Sequence, residues 1–232
     1  MLDNIKNDRK HVMFYNDEDQ AKIHVIKHVI KHVMKEEIMS KTISLIMQKG
    51  GSGKTTICDQ LAFSLREMGK TVEVIDLDDQ QSSRFVNEEI EEPEYTIIDT
   101  RGALDMPIEL NGENLSIEDV IESSDLVIIP FLPEADSEAP LANVVSRCKK
   151  VGTDYRIVFN KLDMRRVVDQ IMFQNVCADY PGKVMKTALH QGTAVSQARL
   201  LSKSINDVDS NSKPAKDFSA LVKEVLEVVN NG

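Results

Sequence analysis

From residue 42 onward, short apolar runs alternate with amphipathic stretches, and the alternation predicts a repeating strand–helix order. Strands are expected at 42–48, 71–77, 95–100, 125–131, 155–160 and 183–188, each a brief run rich in aliphatic and β-branched residues. Helices are expected at 54–68, 116–122, 137–150, 166–179, 194–201 and 214–229, where apolar residues recur at helical spacing. Residues 206–213 are polar and turn-rich, and read as a linker to the last helix. Short apolar strands separated by amphipathic helices imply an α/β fold with a parallel sheet covered by helices on both faces.

The first 40 residues follow another pattern. Residues 1–20 are polar and without period, whereas 21–39 read as a helix with Ile23, Ile26, Ile30, Val33 and Met34 along one stripe. A near-repeat runs through it, His24-Val25-Ile26-Lys27, His28-Val29-Ile30-Lys31 and His32-Val33-Met34-Lys35, so His24, His28 and His32 stack on one side and Glu36 extends the row. Histidines at this spacing can hold a transition metal, but the chain offers no obvious further ligand. The row is read as a partly exposed polar face, and the apolar stripe as a packing or dimerisation surface. The expected organisation is an N-terminal extension over 1–40 and one α/β domain over 41–232.

Composition narrows the class. The chain has 232 residues, 41% of them apolar and 28% charged, enough for a core in a soluble domain. No apolar run is long enough to span a bilayer, and no secretory leader is visible at the start. Cys58, Cys148 and Cys177 form no metal-binding spacing, which suits a reduced cytoplasmic setting. The net charge of −10 argues against nucleic acid, but it is unevenly spread. Residues 76–140 hold 19 acids and 2 bases, whereas 141–205 hold 4 acids and 11 bases. Segregation of this kind can present opposite faces, one of them basic.

The chemistry concentrates at residues 48–56, Gln-Lys-Gly-Gly-Ser-Gly-Lys-Thr-Thr, between an expected strand and an expected helix. A phosphate-binding loop requires that context. Gly50, Gly51 and Gly53 let backbone N–H groups turn inward around phosphate oxygens, and the helix N-terminus adds partial positive charge. Lys54 would reach the β- and γ-phosphates and Thr55 would offer its hydroxyl to Mg²⁺. The standard spacing G-x-x-x-x-G-K-[ST] would place a glycine at Gln48; here a lysine, Lys49, opens the loop instead. Two further strands end in acids: 71–77 leads into Asp76-Leu77-Asp78-Asp79-Gln80, and 95–100 ends Ile97-Ile98-Asp99-Thr100. Ligands of an open parallel sheet sit at the carboxyl ends of its strands, so Asp99 is placed to hold Mg²⁺ through water.

The run Lys49 to Thr55 resembles the deviant Walker A motif, K-G-G-x-G-K-T, of the ParA/MinD family of ATPases. Asp76, Asp78 and Gln80 resemble that family's next motif, with Asp79 in place of a proline. The order of motifs extends over residues 42 to about 205, and the short interval from Asp78 to Asp99 is most similar to the short plasmid-partition ParA proteins. The resemblance implies a P-loop NTPase-like ATP hydrolase using ATP and Mg²⁺. Ser52 and Thr56 would complete the phosphate cradle, Asp78 would polarise the attacking water, and Asp76 would support the metal shell. Asn160 would contact adenine, and Lys49 would cross to the phosphates of a second subunit. It further implies an ATP-dependent homodimer that binds DNA without sequence preference, a centromere-binding ParB-like adaptor, and a cytoplasmic, nucleoid-associated location without membrane attachment. Arg147, Lys149, Lys150, Arg165, Arg166, Arg199 and Lys203 are the candidate DNA contacts. Arg101 follows the third strand where the family often has Pro or Ala, leaving its role open. Positioning of another cargo, assistance to conjugative DNA transfer, and a MinD-like membrane-associated positioner are the alternatives; a metal-cluster carrier would need paired cysteines the chain lacks.

Overall fold

A computed structural model describes residues 40–78, 83–88, 92–106, 108–110 and 113–231. The expected N-terminal helix with its histidine row, together with Asp79 and Gln80, lies outside the described residues.

Five parallel strands form the sheet: β1 (Lys41–Leu45), β2 (Val72–Asp76), β3 (Tyr95–Asp99), β6 (Leu126–Phe131) and β7 (Tyr155–Phe159), in the order β2-β3-β1-β6-β7. Every residue of β3 and β6 is buried, as expected of parallel strands covered on both faces. Alternation splits the core in two. Ile43, Leu45, Leu126 and Ile128 pack on one face with α1 (Lys54–Glu67) and α7 (Lys213–Asn231). Ile46, Val127, Ile129 and Ile157 pack on the other with α2 (Ile117–Ser123) and α3 (Glu138–Val151). The sheet outgrows its central strand on one side: β1 pairs with β6 only as far as Ile128, and Pro130 sits in β6 beyond that point, opposite Val158 of β7. Pro130 is tolerated inside the strand because β1 asks no N–H of it.

The remaining helices are α4 (Val167–Asp179), α5 (Thr193–Leu201) and the short α6 (Ile205–Asp209). Local chemistry sets several boundaries. Ser116 and Asp119 cap α2 reciprocally, and α3 stops at Gly152, whose φ of 90° is left-handed. The stretch read as a linker instead begins with α6, because the Ser204 hydroxyl accepts from Asp207 N and Ile205 N donates to Gln60 Oε1 of α1.

The sixth strand expected at 183–188 does not form as a regular element. The segment runs beside β7, with Ile157 N donating to Lys183 O and Leu189 N to Phe159 O, but only isolated bridges result. The backbone N–H groups of Lys186 and Thr187 donate to the Glu224 carboxylate of α7 at 2.7 and 3.0 Å, which takes them out of the ladder. An antiparallel hairpin not foreseen from periodicity, β4 (Ile108–Leu110) with β5 (Glu113–Leu115), stands apart from the main sheet. The sequence between its strands is Asn111-Gly112, a favoured two-residue hairpin turn.

Candidate functional site

β1 delivers the chain to its carboxyl end, where Ile46 N bonds to Ile128 O before the backbone leaves the sheet for the glycine loop. Gly51 and Gly53 adopt left-handed backbones, with φ of 71° and 96°. Gly53 is the N-cap of α1 and has no side chain with which to cap it. The first N–H groups of α1 therefore have no intrahelical or side-chain cap, the arrangement that binds anions.

Asn160, just past β7, clasps this loop: its Nδ2 donates to Ser52 O at 2.7 Å. A Cβ on Gly53 would stand 2.2 Å from the same nitrogen, so only glycine fits there. Lys161 follows in a left-handed conformation and its Nζ reaches Gly51 O at 3.3 Å.

Lys54 opens α1 and is 8% exposed. Burial lowers its pKa, and the nearby Asp99 and Asp78 carboxylates partly oppose that. Asp99 ends β3, fully buried and in register with both Leu45 of β1 and Asp76 of β2. Burial pushes its carboxyl up to about 7; the Thr55 side chain holds it down, Asp76 pushes it up, and Lys54 again opposes. Neither Asp99 oxygen has a hydrogen-bond partner among the described residues. The buried Ser52 Oγ is likewise unpartnered. A buried carboxylate without donors, beside an uncapped helix and a buried lysine, fits a divalent cation and a phosphate.

Asp76 has a different immediate task. Its Oδ1 accepts from Asp78 N at 3.0 Å and its Oδ2 from Ser83 N at 2.9 Å, shaping the segment that follows β2. Ser83 is also bound from below by Asp59 of α1, a buried residue that sequence reasoning missed. Asp59 Oδ1 accepts from Ser83 Oγ at 2.6 Å and from Arg84 N and Phe85 N. Burial raises its pKa, against the pull of those donors. The only sequence signal was an acid on the buried face of an amphipathic helix.

The loop, Asp78, Gly102, Asn160 and Lys161 border a cleft of about 540 Å³, within the range of small-molecule sites. Gly50, Gly51, Ser52, Gly53, Lys54, Thr55 and Thr56 all line it. His190, Gln191 and Gly192 also line it, with Val195, Ser196 and Arg199 of α5 and Phe218 of α7. Lys49 is not among the lining residues. Its Nζ donates to Glu134, Asp136 and Ser137, at 3.2 Å for the Ser137 hydroxyl, around the 3₁₀ turn Ala135–Ser137. Partial desolvation lowers its pKa, but the hydrogen bonds and charges of those acids outweigh it and the net shift is upward.

The basic segment does not form one free patch. Arg147 is paired with Asp105 and Glu118, Arg165 with Asp163 and Arg166 with Asp169. Arg199 faces the cleft, while Lys149 and Lys150 lie in the last turn of α3 and Lys203 just after α5. Arg101 donates to Met106 O at 3.1 Å. No helix among the described residues is long and apolar enough to cross a membrane.

Residues 40–173 match the family model described as an AAA domain. Among known proteins, a virulence plasmid ParA family protein of Chlamydia psittaci, pGP5-D, is 23% identical over 243 residues, covering 80% of this chain and 94% of that one. A putative plasmid partition protein from Borrelia burgdorferi B31, bound to AMPPNP, shares the fold with a TM-score of 0.64 at 16% identity, over 81% of this chain and 99% of its own. The septum site-determining protein MinD of Pyrococcus horikoshii, complexed with Mg-ADP, does so with a TM-score of 0.57 at 18% identity, over 81% and 96%.

Proposed function

We propose, on the premise that the chain belongs to the ParA/MinD family of P-loop ATPases, that it is a partition-type ATP switch whose ATPase domain is residues 41–232 and which carries 1–40 as an extension. The observation that carries this reading is the coincidence, in one cleft, of the uncapped N-terminus of α1 with Lys54 and, beneath it, the unpartnered Asp99 carboxylate.

The reaction is ATP and water to ADP and phosphate. Backbone N–H groups of Gly50, Gly51, Ser52 and Gly53 hold the phosphate chain, and Lys54 neutralises its β- and γ-oxygens. Thr55, Asp76 and Asp99 would hold Mg²⁺, and Thr56 would extend the cradle. The cation's contribution is to neutralise charge developing on the transferred phosphoryl group. Asp78, beside the loop at the cleft's edge, orients the attacking water. Asn160 fixes the loop and borders the base. Lys49, directed away from its own cleft, is the group that serves a second copy's phosphates in an ATP-dependent homodimer.

The dimer binds DNA through phosphate contacts and without sequence preference, and a centromere-bound ParB-like adaptor stimulates its hydrolysis, so that the chain takes part in plasmid or chromosome segregation. Its location follows, cytoplasmic and nucleoid-associated when ATP is bound. The apolar stripe of α7, including Phe218, Leu221 and Val225, is already buried in the core, which counts against use of that helix as a membrane anchor. Positioning of another cargo is the second reading, favoured only by the resemblance to MinD.

The test is steady-state phosphate release by the purified chain with Mg²⁺ and ATP, for wild type and Lys54→Ala. Slow release that Lys54→Ala abolishes supports the reading, and release unaffected by the substitution refutes it.

A further inference from the structure

The entry to the glycine loop leans on the chain that follows β6. Asn143 Nδ2 of α3 donates to Gln48 Oε1 at 2.7 Å, and the Lys49 ammonium is gripped by the 3₁₀ turn that precedes α3. An ammonium has three N–H donors. Here Glu134 Oε2, Asp136 Oδ1 and Ser137 Oγ all accept from Lys49 Nζ, three acceptors for three donors. In this arrangement no donor is left for a phosphate oxygen. The Lys49 side chain is only 14% exposed, whereas a lysine without partners extends into water.

The turn itself is firmly built. Glu134 N donates to Leu132 O at 2.8 Å and Ser137 N to Glu134 O at 2.9 Å, and Ser137 is fully buried. The two carboxylates it carries are 55% and 76% exposed, so the core does not need them. Exposed ion pairs of this kind are weak, and the closed arrangement outnumbers the open one by only a few fold. The contact occupies the whole ammonium and yet can open, which makes it a restraint on Lys49 rather than a part of the core.

We propose that Glu134 and Asp136 form an autoinhibitory contact, holding Lys49 within its own subunit and so raising the protein concentration at which ATP drives dimerisation. This rests on the reading of Lys49 as the group that crosses to a second copy's phosphates. Its three donors cannot serve both sets of acceptors, so each copy opens its contact as the pair closes. Apparent affinity falls by the fraction of chains in the open form. Two contacts open per dimer, so a factor of about three per copy becomes about nine in the dimer constant.

The experiment compares the full chain as wild type, as Glu134→Gln combined with Asp136→Asn, and as Lys49→Ala. The first readout is the rate at which acetic anhydride acetylates Lys49 in nucleotide-free protein, followed by mass spectrometry. The second is molar mass by light scattering across protein concentration, with Mg²⁺ and a non-hydrolysable ATP analogue. Thermal melting and analogue affinity of the dilute monomer are measured alongside. The double variant should acetylate Lys49 about threefold faster or more, because the acids that shield the amine and raise its pKa are gone. Its half-dimer concentration should fall by about ninefold, with melting and monomer affinity unchanged. An acetylation rate that does not move overturns the inference. Faster acetylation with unchanged or weaker dimerisation overturns it too, since the acids then do not oppose the pair. A matching gain in monomer affinity would assign the effect to general relief of negative charge and likewise overturn it. All three leave the crossing role of Lys49 standing if Lys49→Ala stays monomeric. Dimerisation of Lys49→Ala at wild-type concentrations overturns both that role and the inference.

Discussion

Asn160 Nδ2 donates to the Ser52 carbonyl at 2.7 Å, which ties the end of β7 to the crest of the glycine loop. The contact is close because residue 53 is glycine: a Cβ there would overlap Asn160 Nδ2 at 2.2 Å, on a backbone whose φ is already 96°. Gly53→Ala is expected to lose nucleotide binding. Asn160→Ala should keep the fold, melt lower by the equivalent of about 1 kcal/mol, and bind nucleotide less tightly. Calorimetric titration with an ATP analogue, together with thermal melting, checks both. Normal binding by Gly53→Ala would contradict the clasp.

Asp99 gives a pH signature. Its folded-state pKa, pushed up to about 7 chiefly by burial, lies above the unfolded value of about 3.9. Between those values the native protein keeps a proton that the unfolded chain has released. Nucleotide-free protein should therefore lose stability as pH rises from about 4 to about 7, with this contribution complete below that window. Mg²⁺ requires the ionised carboxylate, so the melting increment from Mg²⁺ with nucleotide should grow across the same range. Asp99→Asn should flatten both trends in melting scans.

Lys49 sits among Glu134, Asp136 and Ser137, outside its own cleft. Both acids are more than half exposed, so solvent screens their pairs and Lys49→Ala should fold normally. It should bind ATP as a monomer, yet fail to dimerise and to hydrolyse it. Molar mass by light scattering with a non-hydrolysable analogue, and phosphate release, are the measurements. Turnover equal to wild type would remove Lys49 from the mechanism.

Asp59 gathers Ser83 and the Arg84 and Phe85 amides, while Ser83 N also reaches Asp76. Asp59→Ala leaves several donors without their acceptor and should cost about 1–3 kcal/mol in denaturant unfolding. Because the segment bearing Asp78 then loosens, kcat should fall while KM for ATP stays close to wild type. A variant as stable and as active as wild type would show that the staple does not position the site.

Residues 49–56 were legible because phosphate binding dictates glycines and a lysine at fixed spacing between a strand and a helix. The five sheet strands were legible because strands buried on both faces are mostly apolar, as 126–131 is throughout and 95–99 is apart from Thr96 and the terminal Asp99. What escaped depends on partners far away in sequence. Nothing near Lys186 and Thr187 announces that Glu224 will take their N–H groups and break a strand. Arg147, read as a DNA contact, pairs with Asp105 and Glu118, which are 42 and 29 residues away. Arg199, read the same way, lines the cleft together with Val195 and Ser196 of α5. Asp59 and Asp217 are acids on helix faces, a pattern that alone does not separate a solvated residue from a buried anchor.

The central claim is an ATP-controlled grip on DNA, and retention of the chain on random-sequence duplex tests it most directly. Binding should appear with a non-hydrolysable ATP analogue and Mg²⁺, be absent with ADP, and be lost in Lys49→Ala. The log–log salt slope should fall by about 0.9 for each phosphate contact removed, measured with Lys149→Ala and Lys150→Ala combined. Binding that is indifferent to nucleotide, or no binding under any nucleotide condition, would contradict the account.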